Sequence, residues 1–217
     1  MKNKIPDFAY HMTKFFTEYL PIQRNLSPNS IATYRDTFRL LLLFYDTEKH
    51  IKPNLLTLDM LDVQGIEDFM LWLKKERNCG ASTCNQRLGA LKSFFRYLQF
   101  ALPDRALQCQ ENLAIRPMKQ SEPGLKYLTI DGIKLLLEQP DIKTKYGRRD
   151  LAILSLMYDT GARVQEIADI KIVHIRFSAP ATIRITGKGD KTRVVPLLSR
   201  TEDTVSYTHL TLPTIRL

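Results

Sequence analysis

A mainly α-helical chain with one small β-sheet, divided into a four-helix bundle and a smaller α+β unit, is predicted by three observations. Apolar residues recur at helical spacing from Asp7 to about Gln99. A stretch with three prolines and weak periodicity follows, from Pro103 to Lys126. Beyond His174 the apolar period drops to two, the spacing of a strand with one buried face.

The first helix places Phe8, Met12, Phe15, Phe16 and Tyr19 on one stripe and is expected to stop near Pro21. The second opens at "LSPNS", where Ser27 can cap and Pro28 fits the first helical position with its fixed φ. Its stripe is Ile31, Tyr34, Phe38, Leu41, Leu42 and Tyr45. "LTLDMLDVQGIEDFMLWLKKERN" predicts a third helix, stopped between Asn78 and Gly80. "STCNQRLGALKSFFRYLQF" predicts a fourth, capped by Ser82 or Thr83 and packed through Leu88, Leu91, Phe95 and Leu98. The boundaries expected are a helical unit over 1–108, a linker over 109–126, a second unit over 127–203 and an atypical tail over 204–217. In the second unit Thr129 can cap a short helix, and "GRRDLAILSLMYDTG" and "ARVQEIADIK" predict two more, parted by Gly161. "HIRF", "TIRIT" and "TRVVPL" predict strands, the last two joined by the turn "GKGDK".

Composition narrows the function classes. With 44% hydrophobic and 25% charged residues in 217, the chain can build a core, and its longest apolar runs are far short of a bilayer crossing. The first residues, "MKNKIPDFAYHMTKFF", lack the apolar block of a signal peptide, so a cytoplasmic location is expected. Cys79, Cys84 and Cys109 form no C-x-x-C pair, which fits reduced thiols, and the four scattered histidines predict no metal site and no cofactor. A net charge of +9 attracts polyanions, among which nucleic acid is the commonest.

Two short motifs carry chemistry. In "TGARVQE", residues 160–166, Arg163 stands behind a Thr-Gly break, with Glu166 one turn on to hold the guanidinium or brace the backbone. In "GKGDKTR", residues 187–193, Lys188 rides a hairpin turn. A fixed guanidinium offers paired hydrogen bonds to phosphate oxygens, and a lysine offers a point charge and a transferable proton; together they suit a phosphodiester. Taken singly, either motif also reads as a solvated turn. The turn lacks the G-x-x-x-x-G-K-[ST] pattern of a nucleotide-binding loop and joins strands instead of opening a helix.

In order along the chain, "LSPNSIATY", "STCNQRLGALKSFFRYL", a proline-rich connector, "YLT", "TGARVQEIADIK" and "GKGDKTRVVPL" resemble the tyrosine recombinases of the phage integrase family, from about Asp7 to Leu198. The resemblance implies a SAM-like core-binding bundle and an α+β catalytic domain that grip duplex DNA between them, with self-association on DNA in the full-length protein. It implies metal-free strand cleavage through a 3′-phosphotyrosyl link. Arg163 then matches the first catalytic arginine, Lys188 the hairpin general acid and Glu166 the supporting acidic position. Lys191 and Arg193 of the same turn are expected DNA contacts.

The sequence departs from the family after Leu198. "SRTEDTVSYTHLTLPTIRL" contains no H-x-x-R and leaves no room for the helices that precede the family's nucleophile, so Tyr207, with His209 nearby, is expected to be a decoy and the C-terminal part of the catalytic domain to be missing. From Thr204 the tail shows no helical periodicity.

At 100° per residue the fourth helix turns Ser82, Asn85, Gln86, Gly89, Lys92, Ser93 and Arg96 away from its apolar stripe. Amides suit adenine edges, small residues permit close approach, and Lys92 and Arg96 suit phosphates. Asn29, Thr33 and Arg39 take the corresponding face of the second helix. A solvated face has much the same composition, and a non-catalytic DNA-binding relative stays open beside the recombinase, as does an unrelated basic helical protein.

Overall fold

The computed structural model describes residues 7–120, 124, 127–187 and 189–211, with side chains described through residue 206. The chain divides at 123/124 into two compact units, mostly helical with one three-stranded sheet.

The first unit opens with α1, Asp7–Lys14, which runs on as a π-helix over Phe15–Gln23. The helix ends at Gln23, near Pro21 as expected, with the proline inside its last turn. Proline cannot donate to the helical ladder and crowds the preceding carbonyl, and here the chain accommodates it inside a turn widened to π spacing. Helix α2, Pro28–Thr47, starts as predicted: the Ser30 N–H donates to Ser27 Oγ at 3.3 Å and Pro28 sits at the first position. The third predicted helix is shorter at its start. Two 3-10 turns, Pro53–Leu55 and Leu58–Met60, precede α3, Val63–Lys75, which Asp62 caps by accepting from the Gly65 N–H at 2.7 Å. Helix α4, Ala81–Ala101, begins one residue before Ser82; Gly80 takes the capping position and neither expected side chain caps it.

A fifth helix replaces the first half of the predicted linker. Helix α5 spans Ala106–Ala114 and lies against α4, with Cys109 and Asn112 buried. Polar side chains anchor it: Gln108 Nε2 donates to the Leu58 carbonyl at 2.6 Å and Asn112 Nδ2 to the Leu61 carbonyl at 3.0 Å. The core of this unit is aromatic, built on Phe8, Phe15, Phe38 and Phe94, and Tyr34 stacks on Phe15 from its edge, as its inward heading predicts.

In the second unit Thr129 caps α6, Ile130–Glu138, and Thr144 caps α7, Lys145–Thr160. Gly161 ends α7 at φ +60°, a left-handed conformation that glycine adopts without strain. Helix α8, Val164–Ala168, follows at once. The strands β1 (Ile175–Arg176), β2 (Thr182–Thr186) and β3 (Thr192–Pro196) form an antiparallel sheet in sequence order, with Ile183 opposite Val195 and Thr186 opposite Thr192. Ile183 and Ile185 face the core beside Ala152, Leu156 and Ile167.

The tail is a further correction. Helix α9 spans Ser199–Thr211, buries Thr201 and Val205 and packs on α7, and Asp159 of α7 accepts the Leu198 N–H at 2.7 Å just before it begins. Among the described side chains of this helix the inward residues are Thr201 and Val205, four apart and one of them a threonine, which leaves little apolar periodicity to read.

Candidate phosphate site and nucleic-acid faces

Helix α8 is only five residues long, and its first turn is organised by one carboxylate. Glu166, buried at 6% exposure, accepts the backbone N–H of Arg163 through Oε2 at 3.2 Å and the Arg163 Nη1–H through Oε1 at 2.9 Å. From β3, Arg193 donates its Nη2–H to Oε2 at 2.7 Å. Two guanidiniums and a backbone amide therefore converge on a group that burial alone would make expensive to ionise. The Arg193 hydrogen bond, followed by that of the Arg163 backbone, holds the carboxyl at a pKa of about 2.

The turn between β2 and β3 closes on this carboxylate as well. The Gly187 N–H donates to the Lys191 carbonyl at 2.8 Å, and a Cβ at position 187 would stand 2.7 Å from Glu166 Oε1. A side chain there would have to displace a carboxylate that three hydrogen bonds hold. Gly189 and Asp190 complete the turn at positive φ. Arg163, Glu166, Arg193 and the Gly187 end of the turn thus form one cluster. Its expected lysine, Lys188, lies outside the described residues, as do the side chains of Tyr207 and His209.

Arg163 keeps 77% of its side chain exposed despite its bond to Glu166. A guanidinium fixed at one edge and open to solvent over the rest suits an external anion. Arg193, an expected DNA contact, is committed to the carboxylate and is 39% exposed, while Lys191 is exposed.

In the first unit the expected α4 face is split. Ser82, Gln86, Gly89 and Arg96 are exposed. Asn85 is occupied: its Nδ2–H donates to the Met118 carbonyl and its Oδ1 accepts the Met118 N–H, both at 2.8 Å. Lys92 Nζ donates to the Ile115 carbonyl at 2.6 Å, burial lowers its pKa, and Ser93 is buried at 8% exposure. The segment after α5 lies along this side of the helix and bonds to Asn85 and Lys92, two side chains expected to meet bases and phosphate. On α2, Asn29 and Arg39 are exposed and Thr33 is half-buried, its hydroxyl donating to the Asn29 carbonyl.

Two residues beyond the predicted set enter this surface. Asp36 accepts from Arg39 Nη2 at 2.8 Å and from Arg87 Nη1 of α4 at 2.9 Å, and these bonds, that of Arg39 first, hold its carboxyl below the usual range. The Asp36–Arg39 spacing of three is legible along a helix; the link to Arg87, 51 residues away, is not. Among the described residues no helix is long and apolar enough to cross a membrane, and no three His, Cys, Asp or Glu side chains gather as metal ligands.

Comparison with known proteins covers both units. The model of the phage integrase N-terminal SAM-like domain matches residues 14–100 and that of the phage integrase family matches residues 126–210. A Sinorhizobium fredii protein assigned to the integrases/recombinases, y4rC, is 36% identical over 190 residues, covering 88% of this chain and 57% of its own. The tyrosine recombinase XerD of Listeria monocytogenes is 32% identical over 198 residues, covering 90% of this chain and 62% of its own. The chain thus spans roughly three-fifths of the length of these relatives. A lambda integrase dimer bound to a COC′ core site shares the fold, with a TM-score of 0.67 at 14% identity over 96% of this chain and 55% of that one.

Proposed function

Because the chain belongs to the phage integrase family, the tyrosine recombinases, we propose that it is the DNA-gripping part of a site-specific recombinase, with the first half of its phosphate-activating site. The observation that carries this reading is the buried Glu166 carboxylate holding the otherwise exposed Arg163. A guanidinium preset in this way stabilises charge developing on a scissile phosphate without reorganising at the moment of reaction.

In the complete reaction a tyrosine oxygen attacks the phosphorus, a 3′-phosphotyrosyl bond forms, and the bond to the 5′-oxygen breaks. Arg163 neutralises the non-bridging oxygens, and Lys188 gives its proton to the departing 5′-oxygen. Glu166 positions Arg163, and Arg193 acts through Glu166. No metal or organic cofactor is needed for these steps. The sequence supplies no H-x-x-R, and we assign Tyr207 no role as nucleophile, so this 217-residue chain is proposed to bind DNA without cutting it. It acts in the cytoplasm on a recombination site, and self-association on DNA belongs to the full-length protein.

For binding, Asn29, Thr33, Arg39, Ser82, Gln86, Arg96 and Lys191 remain as contacts, whereas Asn85 and Lys92 bond to the segment that follows α5 and Ser93 is buried. A nicked suicide duplex is the direct test. The expected result is a salt-sensitive complex with no covalent band after denaturation. A denaturation-resistant band lost on Tyr207→Phe would show that the chain cuts, and a chain without affinity for duplex would sink the whole reading.

A further inference from the structure

The α2 and α4 surface proposed to meet DNA carries a single carboxylate where a polyanion would be expected to select none. Helix α4 has no acidic residue, and α2 has none but Asp36 before Asp46 at its far end. At 100° per residue Asp36 falls between Thr33 and Arg39 and within about 20° of Asn29, so it stands among the proposed contacts. It is also the meeting point of the two helices, taking Arg39 Nε and Nη2 on one oxygen at 3.3 and 2.8 Å and Arg87 Nη1 on the other at 2.9 Å.

Two explanations compete. The Asp36–Arg39 bond contributes little to the fold, since the two side chains are 44% and 65% exposed, and the fold-stabilising share of Asp36 lies in its bond to Arg87, which is 17% exposed. As a positioning group it is well placed, since a long, flexible guanidinium loses rotamer freedom on gripping a phosphate, and a carboxylate that fixes it beforehand removes part of that cost. We propose that Asp36 is a positioning residue that holds Arg39, with Arg87 bracing it from α4, as a preformed phosphate clamp. This inference rests on the DNA-binding reading above.

The two explanations predict opposite signs. A carboxylate that merely sits near phosphates repels them, so removing its charge tightens binding. A carboxylate that presets an arginine weakens binding when removed, and one phosphate contact disappears from the salt dependence. The test is fluorescence anisotropy of the 217-residue chain on a random-sequence duplex between about 50 and 200 mM salt, with melting temperature recorded for every variant. Asp36→Asn is expected to lower the slope of log K against log salt by about 0.9, and hence to weaken binding up to about eightfold at 0.1 M salt. Asp36→Glu should restore most of it; Asp36→Asn is expected to lower the melting temperature through the loss of the Arg87 bond, whereas Arg39→Ala leaves it near wild type. Arg39→Ala should produce the same loss, and Asp36→Asn added to it should produce no more.

Tighter binding by Asp36→Asn at an unchanged slope overturns the proposal. So does Arg39→Ala with the wild-type slope, a result that does not depend on how the Asp36 variants fold. Wild-type affinity that stays flat with salt fails the DNA-binding reading itself and takes the clamp with it.

Discussion

The Arg193 guanidinium of β3 and the Arg163 backbone amide at the start of α8 donate to the same oxygen of Glu166, at 2.7 and 3.2 Å. A strand and a helix start 30 positions apart are thereby tied through one buried atom. The consequences can be measured.

The first concerns acid stability. The Glu166 carboxyl has its folded pKa depressed from 4.5 to about 2, so it binds a proton more readily unfolded than folded. Its contribution is fully present above about pH 4.5 and is lost as pH falls through about 2. Urea melts followed between those limits should show stability dropping with pH. Glu166→Gln should flatten that dependence, and a slope left unchanged by the substitution would remove Glu166 as its source.

The second concerns the segment after α5. Asn85→Ala removes both partners of the Met118 backbone and should cost about 1–3 kcal/mol if that backbone finds no replacement. Amide exchange at Met118 should accelerate, while random-sequence DNA affinity stays near wild type. A selective loss of DNA affinity, with exchange at Met118 unaltered, would return Asn85 to the set of base contacts.

The third separates the exposed α4 residues by role. Arg96→Ala should weaken binding to all duplexes alike and lower the salt slope by about 0.9, whereas Gln86→Ala should leave the slope unchanged and reduce preference for a duplex enriched by selection. Parallel behaviour of the two would mean that neither reads bases.

The fourth concerns chemistry in a recombinase carrying this sequence with a complete catalytic domain. Arg163→Ala should reduce strand cleavage by roughly a hundredfold or more, with a far smaller effect on binding. Lys188→Ala should also slow cleavage. A 5′-bridging sulfur, which leaves without needing a proton, should rescue Lys188→Ala but not Arg163→Ala. Rescue of both would assign them one shared role.

Much of this organisation is legible in the sequence, for reasons that differ by element. Ser27 and Thr129 cap where the side chain and spacing require it, and "TIRIT" is a strand from end to end because a period of two leaves few alternatives. Helix α5 escapes because its attachments are Gln108 and Asn112 bonding to carbonyls of the Leu58–Leu61 turn, contacts that leave no apolar stripe. The same limit explains Asn85 and Lys92. An outward angle on a helix says which side chains leave its own core, and says nothing of a later segment that comes back to cover them. Arg163 and Glu166 were recoverable because their partnership is local, three residues apart; the share that Arg193 takes in it depends on strand register.

The close approach of Gly187 to Glu166 makes the two positions dependent on each other. Any side chain at 187 competes for the volume that the longer acid fills, and with glutamate at 166 it must push aside a carboxylate held by Arg163 and Arg193. Shortening the acid to aspartate first opens that space, after which alanine at 187 becomes tolerable. Gly187→Ala should therefore be damaging in this background and milder when Glu166→Asp precedes it, so the order of the two changes decides which intermediates survive. In either direction, a path between the two pairings passes through glycine at 187 with aspartate at 166.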